Sequence, residues 1–478
     1  MSTARRVYRW LDQRLGITSN IRPIIEHPVP RSVNWWYVFG SATLVAFVVQ
    51  VVTGVALAFS YVPSPLSAYD SLEFITNDAT YGHIVRGIHY WGASAMIVLI
   101  AIHAARVFLM GSFKYPREMN WLTGVGLLLL TLGMAFTGQL LRWDQDAYWA
   151  VVVAAEQAGR VPYIGGILVR LIVAGRTVGG ATLTRFYATH VFLLPALMFG
   201  LIGIHVYLVV RHGISEPPTP GELVDPDTYE EKYDEILKKE GVPFWPDAAW
   251  RDAIFALAVG AVVLALAIFL GPKELGHQAD PTVVHAFPRP DWYFLWLFAL
   301  LALSPPTFED ILIIGLPLVS IIVLVAIPFI APDGERSPRR RPWATAMVGI
   351  GALAVALLIR EGQLAPWSPD LSPPPLPASV TTNMTSSQQD GAMVFQQHGC
   401  INCHTIAGIG GKRGPELTTI GDRLSRDQII WRVLNGATNM PAYGTSLTPD
   451  QVTQLADFLA AMDGSRPTGS APDLLGAR

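Results

Sequence analysis

Cysteine and charged side chains are both scarce in this chain of 478 residues. Its two cysteines stand at positions 400 and 403, so the sequence excludes a framework of disulfide bonds. Charged residues make up 15% of the chain and the net charge is −3. Because nucleic-acid binding needs clustered positive charge, we predict no nucleic-acid partner. The first residues are polar and basic rather than apolar, and we expect no cleavable signal peptide.

Apolar residues are abundant, at 51% of the chain with a mean hydropathy of +0.36. A helix that crosses a bilayer needs about 20 predominantly apolar residues. Seven stretches meet this need, roughly at residues 35–61, 81–110, 122–141, 188–211, 252–270, 311–330 and 344–359. The sequence therefore predicts an all-α fold, a polytopic membrane helical bundle of about seven spans followed by a small helical domain.

Four histidines lie inside two of the predicted spans. His89 and His103 are 14 residues apart, and His190 and His205 are 15 apart. At about 100° and 1.5 Å per residue, each pair shares one helix face at two depths that differ by about 21–22 Å. A single histidine in an apolar helix is usually a satisfied core residue. Four at this spacing predict two haem b groups stacked across the membrane, each iron bound by one imidazole from each helix.

Glycines in two other predicted spans repeat the histidine spacing. Gly40 and Gly54 are 14 residues apart, as are Gly124 and Gly138. Glycine lowers the stability of a helix by about 1 kcal/mol relative to alanine, so the two pairs require a structural explanation. Close approach of a flat macrocycle to the backbone is one, and helix packing through small residues is the other.

Two arginines lie one helical turn from the predicted ligands. Arg86 precedes His89 by three residues, and Arg106 follows His103 by three. Both are placed to neutralise haem propionates through charge-assisted hydrogen bonds. Extension of the side chains to the lipid headgroups is the alternative.

The run from Arg86 to Pro218 resembles cytochrome b of the quinol–cytochrome c reductases, the bc1 and b6f complexes. The resemblance rests on the histidine spacing and on the stretches WDQDAYWAV, LTRFYATH and RHGISEPP. It implies that His89 and His190 hold a low-potential haem on the outer side, and His103 and His205 a high-potential haem on the inner side. Val38 stands where the b6 type has a cysteine, so we expect no covalent third haem in the membrane.

The second half of the membrane region resembles subunit IV of the b6f complex. Its motif Pro290-Asp291-Trp292-Tyr293 resembles the PEWY motif of the outer quinol-oxidation site, with aspartate in place of glutamate. A carboxylate at such a site serves as a general base for a quinol proton. By resemblance, aspartate favours menaquinol. An interfacial aromatic anchor beside a turn is the alternative interpretation.

Beyond a Pro-rich linker, the sequence CINCH carries the C-x-x-C-H motif of covalent haem c attachment. Cys400 and Cys403 would bind the vinyl groups and His404 would be the proximal iron ligand. A zinc or redox site is the alternative, but no second pair of ligands exists for zinc. Met440 is the predicted sixth ligand, with a core methionine as the alternative, and the segment with Pro415 resembles a class I cytochrome c.

Four domains follow, at residues 1–215 (dihaem bundle), 216–362 (subunit IV-like, with the PDWY loop), 363–382 (linker) and 383–478 (cytochrome c). With the N-terminus in the cytoplasm, basic residues concentrate in the inner loops. Seven spans then place the cytochrome c domain and the PDWY loop on the outer side of a bacterial cytoplasmic membrane.

The resemblance implies a quinol–cytochrome c reductase that works by a Q cycle. No C-x-H and C-x-x-H motifs for an iron–sulfur cluster occur, so a separate Rieske iron–sulfur protein is an expected partner. We also expect membrane lipid, a soluble or membrane-bound electron acceptor, and a second copy of the chain as partners. Arg211 and His212 are candidates for the inner quinone site. Three alternatives stay open: a non-bifurcating quinol dehydrogenase, a terminal oxidase, and a non-catalytic structural subunit.

Overall fold

The computed structural model describes residues 3–174, 178–280, 288–364, 373–411, 414–436, 440, 442–444 and 446–464. Residues 365–372 of the predicted linker lie outside this description. The described chain is mostly helical, and the predicted all-α class is confirmed.

Within the described residues, seven helices are long and apolar enough to cross a membrane. Spans 1 to 7 are Phe39–Ala58, Gly82–Leu109, Glu118–Leu140, Gly180–His212, Phe244–Phe269, Ile311–Ile330 and Pro342–Leu364. The predicted number of spans is confirmed, and the chain is a multi-pass membrane protein.

Span 4 begins earlier than predicted and is not a uniform α-helix. It starts at Gly180 rather than near residue 188, and Thr189–Leu193 forms a π-helical turn. The N–H of Leu194 bonds to the carbonyl of Thr189, five residues earlier. Pro195 follows directly and has no N–H to donate, which favours a break in the α-helical pattern here.

The π turn explains the unequal spacing of the histidines. A π turn holds more residues than an α turn, so it absorbs an extra residue without turning the following helix away. His190 lies in this turn and His205 lies beyond it. With the π turn, a spacing of 15 residues keeps His190 and His205 on one helix face, as a spacing of 14 residues does for His89 and His103 in span 2.

The connecting segments gather at two faces of the bundle. On one, the lead-in face, the strand Pro28–Pro30 before span 1 pairs antiparallel with Gly241–Pro243 before span 5. Leu223–Val224 pairs there with Gly334–Glu335, between spans 6 and 7. On the other, the PDWY face, Asp144 after span 3 forms a β-bridge with Gln278 after span 5.

Shorter helices cover both faces. The PDWY face carries Ala68–Asn77, Gln145–Gly159, Gly165–Val173 and Leu295–Leu303. The lead-in face carries Thr3–Leu15, Ile17–Ile25 and Tyr229–Glu240.

The two halves of the membrane region meet where spans 2 and 5 approach closely. A Cβ added at Gly87 would lie 2.9 Å from the Cβ of Ala267, which leaves no room for a side chain. Within the first half, spans 1 to 4 enclose a buried cluster made of Ala42, Ala46, Phe47, Met96, Leu99 and Met198. This packing fixes the four helices that carry the histidines and glycines.

The C-terminal domain has its own hydrophobic core. Its helices are Ala378–Thr381, Ser386–Gln397, Cys400–Cys403, Arg426–Asn435 and Pro449–Ala460, with a hairpin of Thr405–Ile406 and Ile409–Gly410. Its three longest helices begin at capping boxes of the form Ser/Thr-x-x-Gln, at Thr385, Ser425 and Thr448. These helices pack around Phe395 and Phe458, whose ring centroids are 5.9 Å apart.

Candidate functional site

His89 on span 2 and His190 on span 4 face each other across the bundle. Their ring centroids are 6.4 Å apart, with the ring planes at 79°. Metal–imidazole bonds of about 2.0–2.1 Å place the centroids of two opposed rings roughly 6 Å apart. The pair therefore fits one metal ion held between two imidazoles, as in a six-coordinate haem.

A threonine fixes the orientation of His89. The hydroxyl of Thr53 donates to the carbonyl of Val49 at 2.7 Å, so its oxygen is free to accept. His89 Nδ1 lies 2.9 Å from that oxygen and donates its proton to it. The Nε2 lone pair is then left for iron, as is usual for a metal-ligating histidine.

The same arrangement recurs on span 3. Thr137 accepts from His190 Nδ1 at 3.0 Å, and Thr123 accepts from His205 Nδ1 at 2.8 Å. Both threonines donate to the carbonyl four residues earlier. The fourth histidine, His103, differs, because Phe39 stands where the pattern would place a threonine.

Each of the four glycines faces the ring of one histidine. An added Cβ would lie 2.6 Å from His190 Cε1 at Gly138 and 3.0 Å from His103 Cε1 at Gly40. The corresponding distances are 3.2 Å to His89 at Gly54 and 3.6 Å to His205 at Gly124. The glycines therefore make room at the ligands, and their contact with the macrocycle stays a prediction.

Arg106 is buried near the lead-in face with unused hydrogen-bonding capacity. Its guanidinium carbon lies 3.5 Å from the centre of the Tyr37 ring, and its side chain is 8% exposed. Within the described residues, its Nε and Nη2 have no hydrogen-bond partner. A buried cation with two unpaired guanidinium nitrogens calls for an anionic acceptor, and a haem propionate fits this need.

Arg86 is buried to a similar extent but has protein partners. It donates to Thr76 Oγ1 at 3.0 Å and to the carbonyl of Lys273 at 2.8 Å. It also lines the cavity that contains His89. Arg86 thus connects the loop after span 5 to the cavity that His89 and His190 line.

Two of the four PDWY residues lie at the same cavity. Asp291 and Tyr293 line it together with His89 and His190. Asp291 is 7% exposed, which argues against a simple interfacial anchor. Trp292 donates to Ser94 Oγ on span 2 at 3.2 Å and so fixes the loop. Pro290 precedes Asp291 and is half-buried.

Asp291 is surrounded by hydrogen-bond donors and positive charge. Lys273 Nζ lies 3.0 Å and Arg142 Nη1 3.3 Å from its Oδ1, and the Tyr293 hydroxyl donates to its Oδ2 at 3.1 Å. Its own N–H donates to Gln139 Oε1 at 3.0 Å. The carboxylate is therefore ionised in this arrangement.

The charges act on the pKa values of both residues. Burial tends to raise the pKa of Asp291, but the positive charges of Arg142 and Lys273 outweigh it and lower the pKa. Burial, and then the negative charge of Asp291, raise the pKa of Tyr293 well above its usual value. At neutral pH the site thus holds a proton acceptor at Asp291 and a protonated phenol at Tyr293.

The predicted inner quinone residues are not brought together with comparable partners. Arg211 is exposed, and the carbonyl of His212 accepts from Arg117 Nη2 at 3.0 Å. Their role stays a prediction.

The C-terminal domain presents the haem c motif as expected. Cys400 and Cys403 stand at the two ends of one helical turn, and His404 follows it. His404 Nδ1 donates to the carbonyl of Pro415 at 2.8 Å, which leaves Nε2 for iron. Met440 packs against the core of the domain, while residues 437–439 and 441 lie outside the described part of the chain.

Sequence reasoning missed the three threonines and the cations around Asp291. A signal for the threonines was present, because Thr53, Thr123 and Thr137 each directly precede one of the four glycines. No local signal pointed to Arg142, in the loop after span 3, or to Lys273, which lies 18 residues before Asp291 in the connection after span 5.

We expect Gly138→Ala to lose the haem b predicted between His89 and His190, because an iron-bound imidazole could not retreat from a Cβ 2.6 Å away. The ratio of haem b to haem c, read from reduced-minus-oxidised spectra, should fall to about half. Gly133→Ala is the matched control on the same span, since its Cβ would meet Leu194 at an ordinary 3.6 Å. Equal haem ratios in the two variants would contradict the assignment.

We expect Thr53→Val to raise the midpoint potential of the same haem, because the imidazole loses an acceptor that makes it a more basic ligand. A hydrogen bond worth about 0.5–1.5 kcal/mol corresponds to roughly 20–60 mV for one electron. A redox titration of the b bands measures the change. Thr43→Val is the control, because within the described part of the chain Thr43, in the same span, bonds to the carbonyl of Phe39 and to no histidine. An unchanged potential in Thr53→Val would argue against the tautomer assignment.

Three family models of known proteins match parts of this chain. Residues 24–213 match the family model described as Cytochrome b/b6/petB, and residues 278–371 match Cytochrome b(C-terminal)/b6/petD. Residues 386–459 match the model described as Cytochrome C oxidase, cbb3-type, subunit III.

Individual relatives cover the first half almost completely. Cytochrome b6 of Heliobacterium mobile is 45% identical over 210 residues, 44% of this chain and 99% of that protein. The cytochrome b subunit of a menaquinol:cytochrome c reductase of Bacillus subtilis is 43% identical over 221 residues, 44% of this chain and 98% of that protein.

A solved structure described as a hyperthermophilic respiratory Complex III is also similar. It has a TM-score of 0.64 and 27% sequence identity, and covers 75% of this chain and 92% of that one. Together with the histidine pair and the C-x-x-C-H motif, these matches show that the chain belongs to the cytochrome b family and carries a C-terminal cytochrome c domain.

Proposed function

We propose that the chain is the redox-active membrane subunit of a menaquinol:cytochrome c reductase, the respiratory complex III. Quinol is oxidised on the PDWY face, beside Asp291 and Tyr293. The observation that carries the proposal is that these two residues line one cavity with the histidine pair. Proton acceptor and electron acceptor are thus within reach of one bound quinol.

The names of similar proteins support the choice of substrate. The Bacillus subtilis relative is a subunit of a menaquinol:cytochrome c reductase, and so is a 42% identical relative from Geobacillus thermodenitrificans. Menaquinol is therefore the favoured quinol for this chain.

The chain's own residues would handle the quinol protons. Asp291 is an ionised carboxylate at the cavity wall and takes a proton from a quinol hydroxyl as a general base. Tyr293 donates a hydrogen bond to Asp291 and helps hold its carboxylate in place. Trp292 and Gln139 fix the backbone on either side of the carboxylate.

The haems would supply one-electron transfer. His89 and His190 would hold the low-potential haem b, His103 and His205 the high-potential one, and Cys400, Cys403, His404 and Met440 the haem c. As in a Q cycle, these groups would supply transfer of one electron to a Rieske partner and haem c, and of the other through the two b haems to an inner quinone site near Arg211 and His212. Both cysteines belong to the haem c motif, so the iron–sulfur cluster is assigned to a separate protein.

The orientation and the partners predicted from the sequence belong to this proposed function. The PDWY face and the cytochrome c domain lie outside a bacterial cytoplasmic membrane, and the lead-in face lies in the cytoplasm. A second copy of the chain, membrane lipid and a soluble or membrane-bound electron acceptor complete the working assembly. The domain limits at residues 215, 362 and 382 stay predictions from the sequence.

An oxidant pulse tests the splitting of electrons. The purified complex is supplied with menaquinol and an inner-site inhibitor, and the b bands are followed after oxidant is added. We expect transient reduction of haem b while haem c is oxidised, because the second electron has no other route. Oxidation of haem b together with haem c would instead show a linear quinol dehydrogenase.

We expect Asp291→Asn to slow quinol oxidation by about 10²-fold or more, because general-base catalysis is lost. The rate of haem b reduction by menaquinol measures the effect at unchanged haem content. Asp310→Asn is the matched control, since Asp310 is an exposed carboxylate that pairs with Arg160. Equal rates in the two variants would remove Asp291 from the proposed reaction.

A further inference from the structure

Lys273 occupies a position between two carboxylates on the PDWY face. Its Nζ lies 3.0 Å from Asp291 Oδ1 and 3.6 Å from Asp146 Oδ2. The two carboxylates differ in environment, because the side chain of Asp291 is 7% exposed and that of Asp146 is 31% exposed. Lys273 therefore links a buried carboxylate at the cavity to one that reaches water.

Two hydrogen bonds hold the backbone at and before Lys273. Arg86 donates to the carbonyl of Lys273 at 2.8 Å, and Trp91 donates to the carbonyl of Gly271 at 2.7 Å. Both donors belong to span 2, which also carries His89. The backbone is thus fixed, while the long flexible side chain of the lysine retains its freedom of rotation.

We propose that Lys273 is a positioning residue of the quinol site, whose ammonium group moves between Asp291 and Asp146 and thereby sets when Asp291 holds a quinol proton. This inference rests on the proposed oxidation of quinol at Asp291.

The proton step balances without any further reactant. A quinol O–H bond breaks, and the proton binds one carboxylate oxygen of Asp291. The neutral acid no longer attracts Lys273 strongly, and Asp146 is the nearest remaining negative charge for its ammonium group. When Lys273 returns, its charge favours the ionised form of Asp291, and the proton leaves to water at the exposed edge. The quinol electrons go to the haem and iron–sulfur acceptors already named.

Other charged and titratable groups also face Asp291 and contribute to its electrostatic environment. Arg142 approaches it from the loop after span 3, Tyr293 from its own loop, and Tyr90 faces it from span 2. Arg142 is held by Asp144, with 3.3 Å between Nε and Oδ2, and its side chain is 9% exposed. Lys273 is 30% exposed and has a second carboxylate within reach, so it is the cation that can move.

The pH profile of menaquinol oxidation by the intact complex tests the proposal. Asp291 must be ionised to accept a proton, and a cation within hydrogen-bonding distance lowers the pKa of a carboxyl by roughly 1–3 units. In Lys273→Met the pKa of Asp291 rises, so the acid limb of the profile should move to higher pH by about that amount. Lys273→Arg should restore the limb to its original position.

Asp146→Asn tests the second half of the movement. Lys273 then has only Asp291 as a carboxylate partner and stays on it, so the acid limb should not move upward. The maximal rate should fall, because a carboxylate that keeps its cation accepts the quinol proton poorly. Glu274→Gln is the control, since it removes an exposed charge next to Lys273 and should leave both the limb and the maximal rate unchanged.

The outcomes separate the inference from the proposed function. A Lys273→Met variant with normal haem spectra whose rate falls equally at all pH values would overturn the proposal and leave Lys273 as a structural residue. An upward shift in Asp146→Asn would overturn it as well. Loss of oxidant-induced haem b reduction in the unsubstituted complex would instead reject the Q cycle, whichever way the Lys273 profile moves.

Discussion

The opposed imidazoles of spans 2 and 4 impose the constraint on which the membrane bundle depends. An imidazole that is to bind iron must present Nε2, keep a fixed ring plane, and leave space for a macrocycle beside it. Residues of spans 1 and 3 meet these requirements. The histidines themselves lie on spans 2 and 4. The threonines of spans 1 and 3 fix the tautomer of three histidines, and the glycines of these spans clear the space at all four. The four helices therefore act as two pairs of ligand and support.

A second constraint concerns charge at the edge of an apolar cavity. An ionised carboxylate is unfavourable there unless positive groups compensate it. Asp291 has two such groups, Arg142 and Lys273, contributed by loops that follow different spans. The compensation also makes the carboxylate a weaker base. A carboxylate that must both accept and release a proton needs an intermediate proton affinity. A cation that moves provides this better than a cation that stays in place.

The features of the fold that depend on bilayer thickness and helix geometry could be predicted from the sequence. The number of spans and the histidine quartet follow from apolar length and from rise and rotation per residue. The π turn at Thr189–Leu193 was not predicted, although Pro195 and the 15-residue spacing both bear on it. The partners of Asp291 could not be predicted, because Lys273 and Arg142 are 18 and 149 residues away in the chain. Contacts of this kind arise from loop packing, which leaves no periodic trace.

The small sheet of Pro28–Pro30 and Gly241–Pro243 joins the segment before span 1 to the segment before span 5. It therefore crosses the boundary between the two halves, as do the contacts of Gly87 with Ala267. The Heliobacterium mobile relative covers only 44% of this chain at 99% of its own length, so a first half can exist as a separate polypeptide. The exposed stretch at residues 219–223 carries the covalent link between the halves here. Cutting it would leave both the sheet and the contact between spans 2 and 5 intact. The covalent link therefore ensures that the two halves are made in equal amounts, rather than holding them together.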